Sequence, residues 1–219
     1  MCMLFRMIVE KKHRYEALLL SLIGFIFATP MLPGGRIGDV LFGGLFLLVI
    51  FLVSFSLTTH LTARWSLFFL GILSLIFGAL VHYGVIFAIL SRVTMFLFFC
   101  TAIGVLGHDI FNKTSPRVDH LYGAIIIYFL IGITYALAYQ FFQLINPQEL
   151  IISGTGLPVT KPFDLYYFSF ITLGTVGYGD IIAHGQFAKI ISMLESMTGL
   201  FYLAIMVASL VGVFQSEKK

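Results

Sequence analysis

The chain has 219 residues, of which 59% are hydrophobic and 11% charged. A soluble domain carries roughly 25% charged residues, so too few remain here to coat a water-exposed surface. That excludes a soluble enzyme, a disordered chain and a nucleic-acid binder. The formal charge of +3 is small, and two cysteines, Cys2 and Cys100, cannot form a disulfide framework. Both read as free thiols.

A helix crosses the hydrocarbon core with about 20 mostly apolar residues. Six stretches of this kind follow one another: 17–32, 40–58, 65–81, 85–106, 121–145 and about 187–214. The first is short and ends at Pro30 and Pro33. Arg6, Lys11, Lys12 and Arg14 precede it, as in a signal peptide, but Ala28-Thr29-Pro30 is a poor cleavage site. It is read as a span. The fourth stretch holds one arginine, Arg92, with Ile86, Ile89, Met95 and Phe98 at three-residue spacing around it. Moving one charge through 100 mV yields only about 2.3 kcal/mol. Arg92 therefore reads as a packing or snorkelling residue more readily than as a voltage sensor.

A seventh apolar stretch, 163–173, is too short to span and is followed by a Gly-rich run. Stretches of this length are often re-entrant, and such backbone survives at membrane depth only against protein or a water-filled cavity. The expected fold is an all-α integral membrane protein with six transmembrane helices and a re-entrant helix between the fifth and sixth. The expected divisions are 1–16 as an amino-terminal segment, 17–108 as a four-helix membrane domain, 109–120 as a linker, 121–214 as the segment that carries chemistry, and 215–219 as a short tail. No cytoplasmic ligand-binding domain is expected in so short a tail.

Orientation follows from lysine and arginine. With the amino terminus inside, Arg6, Lys11, Lys12, Arg14, Arg64, Lys113, Arg117, Lys218 and Lys219 are cytoplasmic, nine against Arg36, Lys161 and Lys189 outside. Both termini are therefore expected in the cytoplasm. The sequon Asn112-Lys113-Thr114 then faces inward and goes unused. Short loops suggest a bacterial inner membrane. The six histidines, His13, His60, His82, His108, His120 and His184, sit mostly at helix ends and read as interfacial anchors. No cluster of nucleophile, base and orienting group is present, so no enzyme is expected.

The informative passage runs from Phe163 to Asp180 and ends Thr175-Val176-Gly177-Tyr178-Gly179-Asp180. A dehydrated cation needs a replacement shell of oxygens. Backbone carbonyls supply it if they point to one axis, which requires alternating backbone handedness. Gly177 and Gly179 alternate with Val176 and Tyr178, and glycine reaches positive φ without penalty. A short helix ahead of them would direct its partially negative carboxyl end at a cation. The bland alternative is a structural Gly-rich turn between two membrane helices.

The passage resembles the pore of the tetrameric potassium channels, whose filter carries this pentapeptide. The resemblance covers about 163–214 well and the fifth helix by position. It implies a homotetramer, since one chain holds one filter copy, with Thr175, Val176, Gly177, Tyr178 and Gly179 binding potassium. Potassium ions in the filter and membrane lipids are the ligands implied, with no cofactor and no nucleic acid. Asp180 would take a hydrogen bond from Tyr167, where many members have tryptophan, and Thr172 would support the filter. Gly174 replaces the threonine or serine common before the filter. Ile171 is apolar, so no buried carboxylate is expected there.

In the sixth helix the resemblance makes Gly199 a bending point for gating. Close packing against another helix explains a mid-helix glycine equally well. Glu195, one turn earlier, is either functional or a buried acid bonded to the short helix through Tyr or Thr hydroxyls. The implied activity is passive, potassium-selective conduction with weak or no voltage dependence. A weakly selective cation channel and a non-conducting regulatory subunit are the alternatives.

Overall fold

The computed structural model describes residues 14–31, 36–56, 61–111 and 118–216. Cys2, the 112–114 sequon and the basic residues Arg6, Lys11, Lys12, Lys113, Arg117, Lys218 and Lys219 lie outside them. Seven α-helices are described: α1 Arg14–Ala28, α2 Arg36–Ser56, α3 Leu61–Ala79, α4 Val85–Phe111, α5 Val118–Ile145, α6 Pro162–Leu173 and α7 Gln186–Ser216. Two short strands, β1 Leu150–Ile152 and β2 Ile181–Ala183, accompany them. The chain forms two compact units, Met1–Leu130 and Ile131–Lys219, whose boundary falls inside α5.

Among the described residues four helices are long and apolar enough to cross a membrane, over Thr62–Ala79, Val85–His108, Leu121–Ile145 and Gln186–Ala208. The apolar parts of the first two helices, Tyr15–Met31 and Leu41–Ser54, are shorter. The first stretch was expected to continue to residue 32. Its α-helix stops at Ala28, and a single 3-10 turn, Thr29–Met31, follows. Pro30 has no N–H to continue the ladder, and the Thr29 hydroxyl donates back to the carbonyls of Phe25 at 2.6 Å and Ile26 at 3.0 Å. Conversely, α4 runs to Phe111, past the expected end at 106, because no proline interrupts Gly107 to Phe111.

In the first unit, α1 packs on α2, α2 on α3 and α3 on α4. The core is aromatic: Phe25, Phe46, Phe98 and Phe99 are buried, with Phe98 and Phe99 edge to face at 5.1 Å and Phe46 to Phe98 at 5.8 Å. Ser74 and Ser91 each donate to the other's carbonyl, at 3.4 and 3.3 Å, and stitch α3 to α4. Such small polar residues are typical glue between membrane helices.

In the second unit, the end of α5 leads through β1 to α6, and β2 leads into α7. β1 and β2 pair antiparallel, with Leu150 opposite Ala183 and Ile152 opposite Ile181. This small sheet departs from the purely helical expectation. Its strands are three residues long, too brief for an alternating pattern to announce. The core beneath it joins Tyr139 of α5, Leu150, Val159, Leu165 and Phe168 of α6, Ile181 and Ala188 of α7.

Candidate functional site

The short helix α6 starts as its sequence dictates. Pro162 occupies the first turn, where a missing N–H costs nothing, and Asp164 places negative charge near the positive helix end. One face is buried through Leu165, Tyr166, Phe168, Ser169, Thr172 and Leu173. Gly132 of α5 makes room for it, since a β-carbon there would lie 2.7 Å from the Phe170 ring.

At its carboxyl end α6 hands its orphan carbonyls to the residues that follow. Gly174 N–H donates to Phe170 at 3.0 Å, Thr175 N–H to Thr172 at 2.9 Å, and Val176 N–H to Ile171 at 2.8 Å. Gly174 has φ −76°, a conformation open to any residue. The next five residues alternate in hand: Thr175, Gly177 and Gly179 have φ of 56°, 52° and 80°, while Val176 and Tyr178 stay negative. Alternation of this kind turns successive carbonyls toward one side. Among the described residues no backbone N–H donates to the carbonyls of Thr175 to Gly179. Thr175 is the member that glycine spacing did not announce. A β-branched residue at positive φ is a steric outlier, and strain of this sort gathers at functional sites.

The carboxyl end of the segment is tied down twice. Tyr167 Oη donates to Asp180 Oδ2 at 2.9 Å, and the Asp180 carbonyl accepts from Ser153 N–H at 2.8 Å. The second tie uses the turn after β1, which sequence reasoning left as loop. Thr172 takes part through its carbonyl, which also lies 3.4 Å from the Ser196 hydroxyl of α7.

Helix α7 also meets α6 at Gly199 and Glu195. At Gly199 a β-carbon would collide with the carbonyl oxygen of Leu173, the last residue of α6. The close-packing explanation of this glycine therefore has a definite partner. At Glu195 a fully buried carboxyl lies between helices. Oε2 accepts from Tyr139 Oη of α5 at 2.6 Å, and Oε1 lies 2.5 Å from Ser169 Oγ of α6. The bonded acid is thus present, with a serine rather than a threonine on the short helix. Tyr135 Oη and Thr198 Oγ1 add a second α5–α7 link at 3.0 Å.

Glu149 and Gln143 were missed from sequence. The Glu149 carboxylate is buried and accepts the Ala188 N–H at the start of α7, at 2.9 Å. It also takes Asn146 Nδ2 at 3.1 Å. A carboxylate at a helix amino terminus satisfies an orphan donor and the dipole together. Gly185 permits this approach, because a β-carbon there would strike the carboxylate. Gln143 Oε1 accepts Leu150 N–H at 2.9 Å, and Nε2 donates to Leu150 and Val159 carbonyls at 3.0 Å each. A capping residue contributed by a loop 37 residues before its helix leaves no local sequence signal.

Residues 124–216 match a family model described as "Ion channel". A protein described as a voltage-gated potassium channel, from Aeropyrum pernix, is 28% identical over 99 residues, 45% of this chain and 30% of that protein. The match therefore spans less than a third of the relative's length.

Proposed function

We propose that this chain, whose residues 124–216 match the ion-channel family model, conducts potassium passively and selectively as a homotetramer. It is an integral membrane channel protein rather than an enzyme. The observation that carries the potassium reading is the alternation of hand over Thr175 to Gly179, whose five carbonyls take no backbone N–H among the described residues. A ring of such carbonyls replaces the hydration shell of potassium, and it takes four loops to build one. Each chain supplies one. Tyr178 is 72% exposed in the single chain, as a residue awaiting neighbours would be.

In this reading Thr175, Val176, Gly177, Tyr178 and Gly179 bind the ion. Tyr167, Asp180 and Thr172 support the strand. Six helices span the bilayer, α1 and α2 completing the four long ones, and α6 is re-entrant. Both termini are cytoplasmic. Gly199 is the contact between α7 and the end of α6, so any bending of α7 for gating is felt at the root of the filter. The relative's name carries voltage gating, whereas α4 of this chain contains a single arginine, Arg92. The conduction proposed here is weakly voltage-dependent.

The test is flux through the purified chain in liposomes under potassium, sodium or both, with barium as blocker. Potassium flux that barium blocks and sodium cannot replace is the expected result. Equal sodium flux would make the chain a weakly selective cation channel, and no flux would make it a regulatory subunit.

A further inference from the structure

The hydroxyls around Glu195 hold one proton each, and their acceptors can be counted. Ser169 Oγ lies 2.7 Å from the Gly132 carbonyl and 2.5 Å from Glu195 Oε1. Ser169 has one proton for two acceptors; a carbonyl can never supply the missing one and a carboxyl group can, so the assignment that leaves neither contact without a proton gives the Ser169 proton to Gly132. The short contact to Oε1 then needs a proton from the carboxyl side. On the other oxygen, Tyr139 Oη donates to Oε2 at 2.6 Å. Ser192 does not relieve the shortage, because its own proton goes to the Ala188 carbonyl at 2.8 Å, leaving its oxygen 3.1 Å from Tyr139. Neither partner of the Glu195 carboxyl carries positive charge, and an isolated ionised carboxylate fully out of water is very costly. One extra proton, on Oε1, satisfies every contact in the cluster except the long one between Tyr139 and Ser192.

We infer that Glu195 stands here as a neutral carboxylic acid, donating to Ser169 and accepting from Tyr139, and that this bridge is the positioning device that fixes α6 between α5 and α7. The role in conduction rests on the channel reading above. Ser169 lies one turn before Leu173, and the carbonyls of Phe170, Ile171 and Thr172 beside it anchor the first N–H groups of the 174–177 segment. A shift of α6 along its axis would therefore move every carbonyl of Thr175 to Gly179. Gln143 and Glu149 make their hydrogen bonds on the loop side of the unit, to Leu150, Val159 and the start of α7.

The substitution that tests this is Glu195→Gln. Its amide has the same shape as the neutral acid, donating to Ser169 and accepting from Tyr139, while it can never carry charge. Glu195→Leu has neither polar end, and Ser169→Ala removes one link with little change of volume. In liposome flux, Glu195→Gln is expected to keep the parent's potassium-over-sodium ratio. Glu195→Leu is expected to lower it roughly tenfold, the scale of one buried polar partner lost, with Ser169→Ala in between. Tetramer yield is measured alongside, and Ser169→Ala keeps the test decisive if Glu195→Leu does not assemble. Infrared spectra of the reconstituted tetramer at neutral pH supply a readout independent of flux: a protonated-carboxyl stretch present in the parent and lost in Glu195→Gln. Loss of selectivity in Glu195→Gln, an unchanged ratio in both Glu195→Leu and Ser169→Ala, or the absence of that infrared band would overturn the inference. A parent chain that passes no potassium would instead sink the channel reading, and the positioning role with it, while the infrared band would still report the protonation state.

Discussion

The two compact units close their helix contacts with different material. Among the described residues of Met1–Leu130 the tightest glycine contact is Gly71 of α3, whose missing β-carbon would sit 2.7 Å from the Ile50 side chain. The surrounding core is largely apolar, with phenylalanines packed among leucine, valine and isoleucine and the Ser74–Ser91 pair joining α3 to α4. In Ile131–Lys219 the corresponding contact is Gly199, and it meets the backbone carbonyl of Leu173. Buried polar groups, Glu149, Ser169 and Glu195, link the elements there. A side chain can change rotamer to absorb an intruding methyl, whereas a carbonyl at a helix end cannot move without moving the helix. Apolar packing tolerates volume-conserving substitution, and a buried polar network fails when one member is lost. The second unit is therefore built for fixed position, and the first for bulk association.

The sharpest way to break this comparison is Gly177→Ala. An L-residue at φ 52° is strained by about 1–3 kcal/mol, and a tetramer would repeat that strain around one ring. Conduction or potassium preference is expected to collapse while membrane insertion and tetramer yield survive. Selective conduction equal to the parent's would show that the carbonyls of this segment do not handle the ion.

Next come the paired glycines. Gly199→Ala is expected to destabilise the folded chain by about 1–3 kcal/mol, the usual range for overpacking. Gly71→Ala should cost less, since Ile50 can rotate. Thermal melting in detergent ranks the two, and the reverse order would mean that the side-chain-versus-backbone distinction is wrong.

Glu149→Ala removes the cap from α7 and leaves the Ala188 N–H buried without a partner, an expected loss of about 1–2 kcal/mol. The melting temperature should drop while ion preference stays near the parent's. A change in preference with no change in melting would place Glu149 among the residues that shape the filter.

The smallest effect is expected for Gly174→Ala. With φ −76° at the end of α6, alanine fits the backbone and gains up to about 1 kcal/mol in helix propensity. Flux and ion preference should match the parent, and a large loss would mean that this position needs more freedom than its conformation suggests.

Much of this molecule was legible along the chain. Apolar runs announce helices because lipid-facing and bundle-facing sides are both apolar, so α2 to α5 and α7 lie where composition put them. Gly177 and Gly179 stand out because only glycine reaches their backbone region freely. The hydrogen bond between Tyr167 and Asp180 was expected from the resemblance and is present. What tertiary structure alone decided lies in contacts between distant segments. Glu195 was visible as a carboxyl in a membrane helix, but its partners are 26 and 56 residues away. Glu149 looked like one polar residue in a loop until β1 and β2 carried it to the start of α7. Thr175 is held at positive φ by hydrogen bonds from its own and neighbouring N–H groups into α6, and no local preference would put a threonine there. Gly199 was open between bending point and packing surface, and the carbonyl of Leu173 gives it a contact. Local chemistry determines which residues can form helices and turns. Only the folded arrangement determines which buried polar group meets which, because that depends on distances that sequence separation does not encode.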